Sequence, residues 1–244
     1  MLRTIKQIQG DKLGATDGEI GHVKDFYFDD VDWVVRYVVA DTGSWMPGRL
    51  VLISPHALGP LYQGGRVLLV NLTRQQIENS PSIDAHKPVS RQYEEEYHRY
   101  YGWPYYWQGD GLWGMSGFPI LSGKPEPFHG EQGTDAPVAR KSVDGHLRSA
   151  QDIISYKVQA GAELAGHVED FLLDDKTWAI RHVVVDVGTW LSGKKVLILP
   201  SEIERISWDE SKVRVKLTKE ALLGSSEFDP VSFGIREHDP RILQ

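Results

Sequence analysis

A histidine three residues ahead of an aspartate occurs twice in this chain, as His22 with Asp25 and as His167 with Asp170. Such a pair could hold a metal or exchange protons, provided both side chains converge on one point. The surrounding residues read as extended strand, where side chains three apart face opposite sides of the sheet. A histidine at the rim is therefore expected at both places. The acid clusters Asp29-Asp30-Asp32 and Asp174-Asp175 invite a calcium reading. An EF-hand loop, however, needs alternating ligands, a glycine at position six and a bidentate glutamate at twelve. These features do not follow, and turn-forming aspartates are expected instead. Arg36 with Asp41, and Arg181 with Asp186, suit structural ion pairs across a strand end or between two copies of the same element.

Trp45 and Trp190 lie in glycine-bounded loops, 43–48 and 188–193, each followed by a cation, Arg49 or Lys194. They are candidate interface residues, because tryptophan and arginine dominate binding hot spots. The sequence has no dinucleotide-binding glycine loop, no phosphate loop, no His-Glu-x-x-His and no Gly-x-Ser-x-Gly. Cysteine is absent, which excludes disulfides, thiol nucleophiles and zinc–thiolate sites. No catalytic residue, metal site or cofactor is expected.

The elements that must position these residues recur. A constant offset of 145 lays Leu2 over Leu147 and Gly21-His22-Val23 over Gly166-His167-Val168. The same offset lays Trp33 over Trp178, Arg36 over Arg181 and Val51-Leu52-Ile53 over Val196-Leu197-Ile198. The register holds without a gap to Asp84 over Asp229. We read this as an internal duplication, with a pseudo-twofold pair of modules as the expected arrangement. Each copy is mostly strand. Ile20 to Tyr27 alternates, and Trp33 to Ala40 and Trp178 to Val185 are rich in β-branched and aromatic residues. Thr73 and Thr218 sit at N-cap positions ahead of short helices. Several short strands closed by a helical turn predict a small antiparallel barrel, closed or nearly so.

The pattern Gly-x-hydrophobic, then Asp-Phe-x-x-Asp, Trp-x-x-Arg-x-Val-Val-x-Asp and Val-Leu-Ile-x-Pro resembles the PRC-barrel family in both repeats. That family includes the cytoplasmic part of the photosynthetic reaction-centre H subunit and the C-terminal domain of a ribosome-maturation factor. The resemblance implies a mainly all-β fold of two small antiparallel barrels, each with a short C-terminal helix. It also implies adaptor or assembly roles and no shared catalytic residue. The expected divisions are a first repeat at 1–87, a spacer at 88–146 and a second repeat at 147–244.

The spacer is aromatic. Ser90 to Tyr101 reads as a helix with Ser90 as N-cap and Gly102 as its stop, and Tyr93, Tyr97 and Tyr100 are expected on one face. Trp103, Tyr106 and Trp107 follow, Trp113 lies in a glycine-rich setting read as flexible, and 122–146 reads as a linker. Tyr97, Tyr101, Trp103, Tyr106 and Trp107 are candidates for packing on the barrels or for an exposed docking patch. Tyr97, Tyr101, Trp103 and Tyr106 would alternatively line a small-ligand cleft.

The chain has 244 residues, 41% of them hydrophobic and 25% charged, with a net charge of −7. That balance offers no global pull toward nucleic acid. The longest apolar runs fall far short of a bilayer span, and the N-terminus lacks a signal-peptide core. A cytoplasmic protein without membrane insertion is expected, which binds another protein rather than nucleic acid. A homo-oligomer is left open.

Overall fold

The computed structural model describes residues 1–43, 45–47, 49–61, 66–81, 89–120, 146–188 and 193–235. Its strands are β1 Leu2–Thr4, β2 Lys12–Ala15, β3 Gly18–Asp29, β4 Val34–Asp41, β5 Leu50–Ile53, β6 Val67–Leu69 and β7 Leu147–Ser149. Six more follow: β8 Lys157–Ala160, β9 Glu163–Asp174, β10 Ile180–Asp186, β11 Lys195–Ile198, β12 Ile203–Ser207 and β13 Lys212–Val215. The α-helices are α1 Ile5–Ile8, α2 Arg74–Glu78, α3 Arg91–Tyr101, α4 Ala150–Ile153 and α5 Lys219–Gly224. Among the described residues, no helix is long and apolar enough to cross a membrane.

Two compact units result. One comprises Gln9–Arg148 with Lys176–Trp178, the other Met1–Ile8, Ser149–Asp175 and Ala179–Gln244. We call them the 9–148 unit and the 149–244 unit. The boundaries differ from those expected, because strand pairing rather than chain order decides where a short segment lies. β1 pairs antiparallel with β9, matching Leu2 to Asp174 and Thr4 to Leu172. β7 pairs with β3. The described spacer residues, 89–120 and 146, fall within the 9–148 unit.

The sheet of the 9–148 unit has the order β5-β4-β3-β2-β6, and that of the 149–244 unit the order β11-β10-β9-β8-β13-β12. Sequence reasoning expected antiparallel barrels. The fold is mainly β, but β2 with β6 and β8 with β13 are parallel, and neither sheet closes into a barrel among the described residues. A parallel neighbour requires a crossover connection. Here the chain leaves β5, makes a 3-10 turn at Pro55–Ala57 and returns beside β2. Groups outside the sheets meet two of the terminal strands: the Tyr97 hydroxyl donates to the Leu52 carbonyl of β5 and accepts from the Ser54 amide just after it, and the Phe228 amide donates to the Lys195 carbonyl of β11.

The alternation expected along β3 breaks at two register shifts, between Val23 and Asp25 and between Tyr27 and Phe28. A bulge inserts one residue and re-aims the side chains that follow. Asp25 and Phe26 are consequently both buried, while His22 is exposed and His167 is half-buried at the matching place. Asp29 Oδ1 accepts from the amides of Val31 and Asp32 at 2.8 and 3.3 Å, the aspartate turn that was expected. Thr73 and Thr218 cap α2 and α5 through Gln76 and Ala221.

Candidate functional site

Helix α3 starts at Ser90, whose Oγ accepts from the Tyr93 amide at 3.2 Å, and stops at Gly102, whose φ of 68° is left-handed. Its buried stripe is Glu94, Tyr97, His98 and Tyr101. Of the expected face of Tyr93, Tyr97 and Tyr100, Tyr97 alone lies in this stripe: Tyr93 is half-buried and Tyr100 exposed, and each of these two donates its hydroxyl to a backbone carbonyl, Pro81 and Gln76 respectively. Positions 94, 97, 98 and 101 are the i, i+3, i+4, i+7 set, so burial of the acid at 94 selects this stripe.

Glu94 has no exposed surface. Its Oε1 accepts from the Tyr106 hydroxyl at 2.6 Å and from the Tyr37 hydroxyl at 3.1 Å. Its Oε2 lies 3.0 Å from Arg91 Nη1 and 3.2 Å from His146 Nε2. Two phenols, a guanidinium and an imidazole thus surround one carboxylate. Burial, with the Glu94 charge second, pushes the Tyr37 and Tyr106 hydroxyls well above the ordinary phenol range, so both stay donors. The Tyr106 oxygen, having donated to Glu94, accepts from His146 Nε2 at 2.9 Å. Arg36 lies fully buried with its guanidinium 3.9 Å from the Tyr106 ring centre. It reaches Asp32 at 3.1 Å, Asp29 at 3.4 Å and the Leu112 carbonyl.

His98 donates from Nδ1 to the Pro104 carbonyl at 2.9 Å, which leaves Nε2 as a second acceptor 3.2 Å from the Tyr37 hydroxyl, competing with Glu94 Oε1 for its one proton. Burial first, and the neighbouring His56 second, lower its pKa to about 3. Burial lowers His56 as well. A histidine whose folded pKa is depressed stays neutral while the unfolded chain takes up a proton, so its contribution to stability is lost as pH falls from about 6.5 toward 3. Urea unfolding followed by the fluorescence of Trp103 and Trp113 should therefore show weaker stability at pH 4.5 than at pH 7.5. A His98→Gln variant should show a smaller drop.

Trp103 and Trp113 complete the cluster. Trp103 stacks on Tyr101 at 4.4 Å between centroids and on His56 at 5.7 Å. Trp113 is not in a flexible setting: it is 1% exposed, lies edge-on to His56 and donates Nε1 to the Thr177 carbonyl at 2.8 Å. Tyr97, Tyr101, Trp103 and Tyr106 are all buried. Their faces are occupied by one another, so they form neither an exposed patch nor the wall of an aromatic cleft. Trp107 is half-buried beneath the Arg91 guanidinium, 4.1 Å from its ring centre. The titratable members Glu94, His98, His56, Arg91 and His146 escaped sequence reasoning. The signal available was an acid placed three residues before Tyr97 and seven before Tyr101.

The expected ion pairs form with other partners. Arg36 pairs with Asp29 and Asp32 in place of Asp41, and Arg181 lies 3.6 Å from Asp174 in place of Asp186. Asp41 and Asp186 instead accept from the amides of Gly43 and Gly188. Each arginine lies near the start of its strand, beside the preceding turn, and the aspartate five residues on is too far along the strand. Trp45 is half-buried under the Arg74 guanidinium, at 4.7 Å. Arg49 and Lys194 are helix-end caps: Arg49 Nη1 donates to the Glu78 carbonyl and Lys194 Nζ to the Leu223 carbonyl, at 2.7 and 2.6 Å. Trp190 and the linker at 122–145 lie outside the described residues.

The arginine-turn contact, the helix caps and much of the sheet order recur 145 residues apart. Residues 146–222 match the family model of the PRC-barrel domain. No curated protein matches the chain. The PRC-barrel match covers β7 to β13, α4 and most of α5, and ends before the C-terminal residues that complete the core of that unit: Ile235 is buried with Leu172 and Val184, and Phe228 and Phe233 pack against them.

Within the 149–244 unit, a cleft of about 320 Å³ is lined by Thr4, Lys6, Glu169, Asp170, Lys195 and Phe228 among others. Lys6 and Lys195 both reach Glu169 Oε1, at 2.9 and 3.0 Å. Beneath them Asp170 is buried and accepts from the amides of Phe171 and Lys6, at 2.7 and 3.3 Å. Burial dominates and raises its pKa from 3.8 to about 6. For a carboxyl whose folded pKa is raised, the favourable contribution is complete below pH 3.8 and is lost as pH rises through 6. Asp170→Asn retains the acceptor and removes the charge. We expect it to stabilise the protein by roughly 2–3 kcal/mol at pH 8 and by little at pH 4, measured by urea unfolding.

Proposed function

We propose that the chain is a non-enzymatic protein-binding adaptor made of two PRC-barrel modules, the second at 146–222 and the first lying 145 residues earlier. The duplication is supported by the shared sheet order, by Gly21 and Gly166 at equal places, and by the paired caps Arg49 with Glu78 and Lys194 with Leu223. Tyr37, Tyr106, Arg91 and His146 all turn toward the buried Glu94 carboxylate, an arrangement suited to holding a fold and poorly suited to meeting a substrate.

The observation that carries the binding role is a contrast between the modules. On the outer face of β6, Val67 and Leu69 are 46% and 48% exposed, against Gly14 and Gly59. The aligned positions in the other unit are Lys212, Arg214, Gln159 and Glu204, with Lys212 and Arg214 paired to Glu210. One fold therefore carries a charged face in one copy and a flat aliphatic face in the other. An aliphatic strip of this kind on a sheet face fits an extended apolar segment of a partner protein.

The test transplants the charged face. Native extract is cross-linked to wild type and to Val67→Lys, Leu69→Arg, residues the other copy already accommodates. Retention of a protein by wild type and its loss by a variant with the same thermal midpoint is expected. Equal retention by both, or by neither, would refute the assignment.

A further inference from the structure

The short strands β1 and β7 each pair with a sheet built mainly from the other half of the chain. β1 lies on β9, where the Asp175 amide donates to the Met1 carbonyl at 3.0 Å and Arg3 Nε lies 3.9 Å from Asp175 Oδ2. Behind it, Ile5 and Ile8 are each 2% exposed, and the Lys6 amide reaches Asp170. β7 lies on β3 through the same contacts set 145 residues apart: the Asp30 amide donates to the His146 carbonyl at 3.3 Å, and Arg148 Nε to Asp30 Oδ2 at 2.6 Å. His146 is held in addition by Glu94 and Tyr106. The first eight residues thus belong to the body built from residues after 148, and Leu147 and Arg148 belong to the body built from residues before 121.

We infer that the two halves of the chain are each other's binding partners: each sheet carries a groove that takes the leading strand of the other half, so that a chain cut within 121–145 stays one complex. The physical ground is reciprocity. A three-residue strand binds weakly alone, but two exchanged strands act as two linked contacts, and the first to dock raises the effective concentration of the second. Exchange of similar elements between like modules costs little, because the contacts resemble those an unexchanged module would make. The inference needs the strand pairings alone and stands apart from the adaptor reading.

The chain has no cysteine, so an engineered pair reports cleanly. Leu2→Cys with Asp174→Cys places two thiols on directly opposed residues of an antiparallel pair, within disulfide reach. A protease recognition sequence is inserted between 121 and 145. After oxidation the intact protein should run as a covalent monomer, and after cleavage the two pieces should remain one band until reductant separates them. Without the cysteines, the cleaved protein should elute from gel filtration as a single species. Ile5→Asp with Ile8→Asp should weaken that association at least tenfold. Failure to oxidise, covalent dimers of the intact chain, or pieces that elute separately when uncrosslinked would each overturn the inference, the dimers by placing the strand on a second copy.

Discussion

Gly21→Ala and Gly166→Ala should each cost the protein more than about 4 kcal/mol, enough to leave a domain of ordinary stability largely unfolded. A Cβ at Gly21 would stand 1.9 Å from the Asp41 carbonyl oxygen, and one at Gly166 would stand 2.1 Å from that of Asp186. Both obstacles are backbone atoms of the neighbouring strand, so no side-chain rotation relieves them. Both glycines also have φ of 130° and 142°, well beyond the left-handed region that L residues occupy. Gly10 supplies the control. Its φ of 84° is left-handed, but nothing lies within 4 Å of a Cβ there, and Ser155 adopts φ 83° at the matching place of the other unit. Gly10→Ala should therefore cost only about 1–2 kcal/mol. Urea unfolding of the three variants measures the ordering. Comparable losses at Gly10 and Gly21 would show that φ, rather than the close backbone approach, fixes the glycine.

Glu94→Ala should cost about 3–5 kcal/mol, because it leaves two phenol donors and the Arg91 and His146 nitrogens facing an apolar void. Glu94→Gln retains an acceptor of the same size and should cost less, about 1–3 kcal/mol. Tyr37→Phe removes one donor and should soften the effect of Glu94→Ala, a coupling that a double-mutant cycle reads directly. Additive losses would mean that the hydroxyl and the carboxylate do not act through their bond. Because the network joins α3 to Tyr37 of β4, the same variants should expose Trp103 and Trp113 and shift their emission to the red before global unfolding.

Much of this was legible because it is local. The caps at Thr73, Thr218 and Ser90, the stop at Gly102 and the aspartate turn at Asp29 each depend on atoms within about four residues along the chain. The offset of 145 was legible because equal environments select equal residues. What failed in the reading was long-range. The arginines were assigned to Asp41 and Asp186 by spacing, whereas the preceding turn folds back to offer Asp29 and Asp174. The spacer aromatics were weighed as a docking surface, whereas a carboxylate on the adjoining helix stripe turns them inward.

The matching residues at an offset of 145, the strand and helix types, the turn chemistry and the cysteine-free, acidic composition follow from residue type and short-range periodicity alone. Long-range contacts set the rest: β6 and β13 run parallel to β2 and β8, β1 and β7 lie on the sheets they do, and Glu94 is sealed beneath Tyr37 and Tyr106. An isolated strand pattern is indifferent to direction and to which sheet it joins, and a glutamate on a helix is indifferent to burial. Those choices are made by the partners that come together around them.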